Sequence, residues 1–256
     1  SRPCPKILYQ IQRLFGIYKN KEIDYVEIGP TLNHRLSELG PTFIKLGQML
    51  SMRADLIPNQ LANQLRALLD HGPTEEFEQI QNLFISEIGK SPDNIFDSFS
   101  QDPIAVASIS QVHIAVYKGK KLAVKIQKPH IKVLILTDLK ICRYILKTAS
   151  IFSYNKKSKD TLRVASDAVE EFFIWIEREL DYRLEALNLA RIKEHFIKEK
   201  SFVAPDVLHE FSSRRVLTMT FIEGVSLNEI FNELPGLPEM SVIKCRNVKI
   251  SKKVFI

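Results

Sequence analysis

The chain has 256 residues, 45% of them hydrophobic and 26% charged, enough for one large domain or two small ones with real cores and unlike a disordered or fibrous sequence. Its formal net charge is +6, but Lys244, Arg246, Lys249, Lys252 and Lys253 against Glu239 place +4 of that in residues 236–256. The rest is then nearly neutral, which argues against nucleic acid as a partner. Cys4, Cys142 and Cys245 are widely separated, which suggests neither a disulfide framework nor a zinc site and fits a reducing compartment.

No run reaches the ~20 apolar residues of a spanning helix. Ser1-Arg-Pro-Cys-Pro is not followed by the apolar core of a signal peptide, so any membrane association is expected to be peripheral or through residues outside this sequence. Between Pro5 and Lys21, Ile7, Leu8, Ile11, Leu14 and Phe15 recur at helical spacing. That stripe lies either on a membrane or, as is common for surface helices, on the domain itself. A helical stretch from Ile28 to Leu39 breaks at Gly40-Pro41, and a second helix runs from Thr42, its expected cap, through Met52. Pro58 opens a helix to Leu69, and another runs from about Glu75 to Ile88 before Gly89.

The period then changes to two. Val112, Ile114 and Val116 alternate with His113, Ala115 and Tyr117; after a turn at Lys118-Gly119-Lys120, Leu122, Val124 and Ile126 alternate with Ala123, Lys125 and Gln127. This is a β-hairpin. Residues 130–200 return to helix, interrupted near Ser153–Ser158, with one long helix expected from Thr161 to Glu199. A second hairpin is expected from Asp206–Glu210, a turn at 211–213 and Arg214–Phe221. Such an order suits an α+β domain with one antiparallel sheet.

Four segments could carry chemistry. Lys125 sits in mid-strand, where a lone lysine is ordinarily a solvated edge residue. Yet Ala123-Val124-Lys125 has the form of the kinase strand whose lysine presents its charge to nucleotide phosphates. Ala105, Val106, Ala107 and Ser108 stand where a glycine loop would cradle phosphates, or form an ordinary small-residue strand packed on a helix. Lys45 and Gln48 are three apart and point the same way on a helix. Gly47 between them costs ~1 kcal/mol relative to alanine, so something should pack closely there. In Glu177-Arg-Glu179-Leu-Asp181-Tyr-Arg183-Leu-Glu185, Glu179 and Arg183 are placed to pair. Asp181 and Glu185 share a face there and call for cations, for which Lys125 and Lys45 are the candidates.

Taken together, Leu39-Gly-Pro-Thr-Phe-Ile-Lys45-Leu-Gly-Gln48, Pro103-Ile-Ala-Val-Ala-Ser-Ile-Ser-Gln-Val-His113, Ala123-Val-Lys125, Glu179-Leu-Asp181-Tyr-Arg-Leu-Glu185-Ala and Arg215-Val-Leu-Thr-Met-Thr-Phe-Ile-Glu-Gly224 resemble the UbiB family of atypical protein-kinase-like proteins, which support ubiquinone biosynthesis. The likeness runs from about residue 28 to 235. It implies a helical extension over 1–90 carrying Lys-x-Gly-Gln and a kinase-like N-lobe with a five-stranded antiparallel sheet over 91–235, with helices inserted at about 130–165; the basic tail over 236–256 is expected to lie outside the family pattern. The resemblance further implies ATP as cofactor. Lys125 would bind phosphate with Glu185 as its helix partner, the loop would be Ala105, Val106, Ala107 and Ser108, and Glu223 would lie in the hinge toward adenine. Val106 departs from the alanine expected there. Lys45, Gln48, Glu179 and Asp181 would line or regulate the cleft, with Lys45 paired to Glu179. The setting implied is the cytoplasmic side of the inner membrane, peripherally, with quinone-biosynthesis proteins as partners.

Kinase chemistry also needs magnesium ligands and a catalytic loop beyond the hinge. No aspartate follows Asp206, and none of the six histidines begins a His-x-Asp sequence. The C-lobe is therefore expected to be absent, with no catalytic or metal-binding residue here and these residues inactive alone. Two other classes stay open: a non-catalytic membrane- or partner-binding helical module, and an inactive gene remnant.

Overall fold

A computed structural model describes residues 25–53, 55–66, 68, 72–199 and 202–224. The Ile7–Phe15 stripe and the tail over 236–256 lie outside them. Seven α-helices are present among the described residues: α1 Tyr25–Glu38, α2 Pro41–Ser51, α3 Asn59–Leu65, α4 Phe77–Ile88, α5 Ile131–Phe152, α6 Lys156–Glu179 and α7 Tyr182–His195. The strands are β1 Ser98–Phe99, β2 Ala105–Val106, β3 Ser110–Tyr117, β4 Lys120–Gln127 and β5 Val216–Thr220. They form one five-stranded sheet in the order β1-β3-β4-β5, with β2 also paired to β3. The β1–β3, β3–β4 and β4–β5 pairings are antiparallel.

The chain divides into two units interleaved in sequence. In the first, which contains α1 to α3, residues 106–109, α5 and α6, two clusters form the core. Ile57, Leu61, Leu65 and Leu68 gather around α3, and Met49, Ile135, Leu139, Phe172 and Ile176 join α2, α5 and α6. Gly40 ends α1 and precedes α2 with φ 97°, a conformation glycine tolerates. Thr42 does not cap α2; its hydroxyl reaches Asp138 Oδ2 of α5 at 2.5 Å.

The second unit contains α4, the sheet and α7. Alternation along β4 sends Leu122, Val124 and Ile126 into a cluster with Ile80, Leu83 and Phe84 of α4. Because its apolar stripe is buried there, α4 belongs with the sheet rather than with the helical extension, where the sequence reading places it. The opposite face of the sheet, through Ala123, Leu217 and Met219, packs on Tyr182 and Ala186 of α7. The β3–β4 hairpin closes through Lys118 and Gly119, both at positive φ (51° and 73°), the signature of a two-residue primed turn.

Two expectations are corrected. The single helix over 161–199 is two, broken at Leu180–Asp181, because Asp181 is an N-cap: its φ is −120° and its side chain accepts from the Arg183 N–H. Of the second hairpin only β5 is a strand. Val207 bridges Met219 alone, and His209–Phe211 turn as a 3-10 helix whose Phe211 carbonyl accepts from the Thr218 hydroxyl.

Candidate functional site

Lys125 is the buried charged residue on the α7 side of β4, 5% exposed. An unpartnered ammonium at such a position would be costly. Its Nζ donates to both oxygens of Glu185, at 3.2 and 2.9 Å, and lies 4.7 Å from the centre of the Tyr182 ring. The start of α7 makes this possible. The Tyr182 N–H donates to the Arg214 carbonyl beside β5, and Asp181 caps the helix, so Tyr182 and Glu185, three residues apart, face the sheet together. The resemblance expected the Lys125–Glu185 pair, sixty residues apart in sequence, and the structure forms it.

Asp181 has a different position from the one its spacing suggests. Its carboxylate is chelated by Arg183, at 2.9 and 2.6 Å, with Arg214 3.8 Å away. The Arg183 hydrogen bonds hold it below the usual carboxylate range against slight burial. Arg183 thus binds Asp181 and not Glu179. Glu223 is exposed and makes an ion pair with Lys121 at 3.7 Å, just after β5, which stops at Thr220.

In the first unit, Lys45 is buried on α2, and Glu179 is the exposed last residue of α6. Gln48 Nε2 reaches the Leu68 carbonyl at 3.4 Å. Between them Gly47 is in close contact: a Cβ there would lie 2.3 Å from Leu68 Cδ1 and 3.1 Å from Leu36 Cδ1, as the glycine in mid-helix suggests. Ala105 and Val106 form β2, and Ala107 and Ser108 after them are buried. Gly72 packs against that loop, since a Cβ on it would stand 2.9 Å from the Ala107 carbonyl oxygen and 2.4 Å from Lys128 Nζ. Sequence reasoning passed over Gly72, Lys128 and Tyr182. Of these only Tyr182 carried a signal, sitting between two motif carboxylates.

Among the described residues no group of three His, Cys, Asp or Glu side chains is placed to hold a metal ion, and no helix is long and apolar enough to cross a membrane.

A sheet whose buried strand lysine is held by a helix glutamate is the core of a kinase-like N-lobe. The model of the ABC1 atypical kinase-like domain matches residues 67–253, a span that takes in residues 236–253 of the basic tail, which the motifs set outside the likeness. A "Probable protein kinase UbiB" of Shewanella sp. (strain W3-18-1) is 35% identical over 204 residues, 79% of this chain and 36% of that protein. An "Uncharacterized protein in hydrogenase 1 5'region" of Clostridium pasteurianum is 34% identical over 246 residues, 94% of this chain and 45% of that one. A solved structure described as "The complex structure of Rv3197-erythromycin from Mycobacterium tuberculosis" matches 73% of this chain and 46% of its own with a TM-score of 0.50 and 29% identity. The chain belongs to the ABC1 atypical kinase-like family, and it spans less than half the length of these relatives.

Proposed function

We propose that this chain is the nucleotide-binding N-lobe portion of a UbiB-type protein serving ubiquinone biosynthesis, and that ATP is its ligand. The observation that carries this reading is the buried Lys125–Glu185 pair. A lysine fixed by a bidentate carboxylate cannot swing to solvent, so its charge stays aimed while phosphate oxygens compete for the remaining donors. Ala105, Val106, Ala107 and Ser108 are proposed as the phosphate-facing loop, where methyl groups hold the phosphates further from the backbone N–H groups than glycines would. Glu223 is proposed at the adenine end. Lys45 and Gln48 on α2, with Glu179 as the partner of Lys45, and Asp181 are proposed to regulate the site. ATP when bound supplies the phosphoryl group; the residues described here bind and orient it. Quinone-biosynthesis proteins are the proposed partners.

Calorimetric titration of the purified chain with ATP tests the reading. Saturable binding that weakens at least about tenfold in Lys125→Ala is the expected result, equivalent to ~1.4 kcal/mol. Equal affinity in the two proteins overturns it.

A further inference from the structure

The near neutrality of the body conceals a strong local charge. Residues 140–163, the end of α5, the loop and the start of α6, contain Lys140, Arg143, Lys147, Lys156, Lys157, Lys159 and Arg163 against Asp160 alone, a net charge of +6. That equals the formal charge of the whole chain. Along the same stretch α5 has two apolar stripes. Ile131, Ile135 and Leu139 are buried, whereas Ile141, Tyr144, Ile145, Ile151 and Phe152, also at helical spacing, are each more than half exposed. The stripe runs to the tip of the hairpin, where Tyr154 is 96% exposed.

Behind that tip, between α5 and α6, lies an open groove of about 610 Å³ lined by Arg143, Lys147, Lys159 and Arg163 together with Ser150 and Ser166. Glu170 and Asp160 also border it. Glu170 is engaged, chelating Arg143 at 2.6 Å through both oxygens. Lys147, Lys159 and Arg163 make no ion pair among the described residues. The groove therefore presents uncompensated positive charge beside hydroxyl donors, one helical turn from exposed aromatic and aliphatic side chains.

We propose that the α5–α6 hairpin is a docking surface for an anionic lipid bilayer: Ile151, Phe152 and Tyr154 enter the interface while Lys147, Lys159 and Arg163 bind lipid phosphates. Charge complementarity selects an anionic partner, and the placement of the apolar groups selects a lipid. They occupy a projecting apex, suited to entering a soft interface, with long cations set back where their stems can reach the headgroups. Nucleic acid would use the cations but leave Ile151 and Phe152 in water. This inference is independent of nucleotide binding, since it uses none of the residues around Lys125.

Co-sedimentation of the full 256-residue chain with vesicles of mixed phosphatidylcholine and phosphatidylglycerol, against pure phosphatidylcholine, is the test. Binding to the anionic vesicles alone, weakened by added salt, is expected. Since each cation near such a surface is worth ~1 kcal/mol, K147Q/K159Q/R163Q should bind on the order of a hundredfold more weakly. I151S/F152S/Y154S should lose binding as well, with both variants keeping the wild-type thermal transition. Lys125→Ala should bind vesicles like the wild type, which separates this proposal from the nucleotide reading. Equal binding to neutral vesicles, or undiminished binding by both hairpin variants, overturns the proposal. So does retention by a duplex oligonucleotide without retention by vesicles.

Discussion

The Lys125 ammonium rests against the Tyr182 ring, 4.7 Å from its centre, while Glu185, three residues further along α7, binds the same cation. One helix turn therefore contributes both a π face and a carboxylate. A double-mutant cycle of Lys125→Met and Glu185→Gln, read by urea unfolding, should show a coupling of about 1–2 kcal/mol, moderated because Glu185 is 26% exposed. Tyr182→Phe should leave that coupling intact. Tyr182→Leu should lower stability by a further ~1 kcal/mol through loss of the ring beneath the charge.

Gly47 should not tolerate a methyl group. Alanine would gain ~1 kcal/mol of helix propensity, but its Cβ would meet Leu68 Cδ1 at 2.3 Å inside a buried cluster, and overpacking costs about 1–3 kcal/mol. Gly47→Ala should therefore lower the unfolding midpoint, and Leu68→Ala in the same chain should relieve the clash, so the double variant loses less than the sum of the two single changes.

Glu87 of α4 ties the helix to the approach of β5. It accepts from Arg215 Nε at 2.8 Å and from the Ser213 hydroxyl at 2.6 Å. Burial alone would raise its carboxyl pKa, but the Ser213 and Arg215 hydrogen bonds hold it below the usual 4.5. A lowered carboxylate contributes stability above pH 4.5 that disappears as pH falls through the folded value. Arg215→Ala should cost about 1–2 kcal/mol at pH 7, the modest figure reflecting 39% exposure of Arg215, and should flatten the acid limb of a stability-against-pH curve.

His113 responds over a higher pH range. It is fully buried and stacks on Phe99 with ring centres 5.4 Å apart, with Nδ1 2.9 Å from the Ser100 carbonyl oxygen. Burial pushes its pKa below 6.5 in spite of that carbonyl. The folded state thus resists protonation. Its contribution is complete above pH 6.5 and is lost as pH falls from 6.5 through the lower folded value. Guanidinium unfolding midpoints between pH 7.5 and 5 should decline below about 6.5 for the wild type and decline less for His113→Gln.

The parts of the fold legible in the sequence are those where pattern and physics have one solution. Alternation at Leu122, Val124 and Ile126 can bury only one face of a strand. Gly89 ends α4 in the left-handed conformation, φ 84°, as its position after Ile88 suggests. The Lys125–Glu185 pair was accessible through family likeness, because no local rule links residues sixty apart. What stayed hidden depends on tertiary partners. Asp181 fits a helical charge pattern until Arg183 and Arg214 make it a cap. The 206–210 segment has strand-forming residues but is drawn into turns by the Phe211 carbonyl and Ser212 hydroxyl, both of which bond Thr218. The charge at the α5–α6 tip escaped notice because a composition sum averages it against acidic residues elsewhere.

The two-residue turn at Lys118 and Gly119 has a bearing on how this protein can evolve. It pairs Tyr117 with Lys120 and, at the eighth pair, Ser110 with Gln127, so it fixes the parity of every side chain on β4. Sliding β4 by one position would send Lys125 into the cluster beneath α4 and turn Val124 or Ile126 toward Glu185. A lineage that lengthens this tip by one residue without a compensating bulge would keep a foldable hairpin and lose the Lys125–Glu185 pair. Insertions and deletions at 118–119 are thus more disruptive to the lysine's placement than the exposure of the turn would imply.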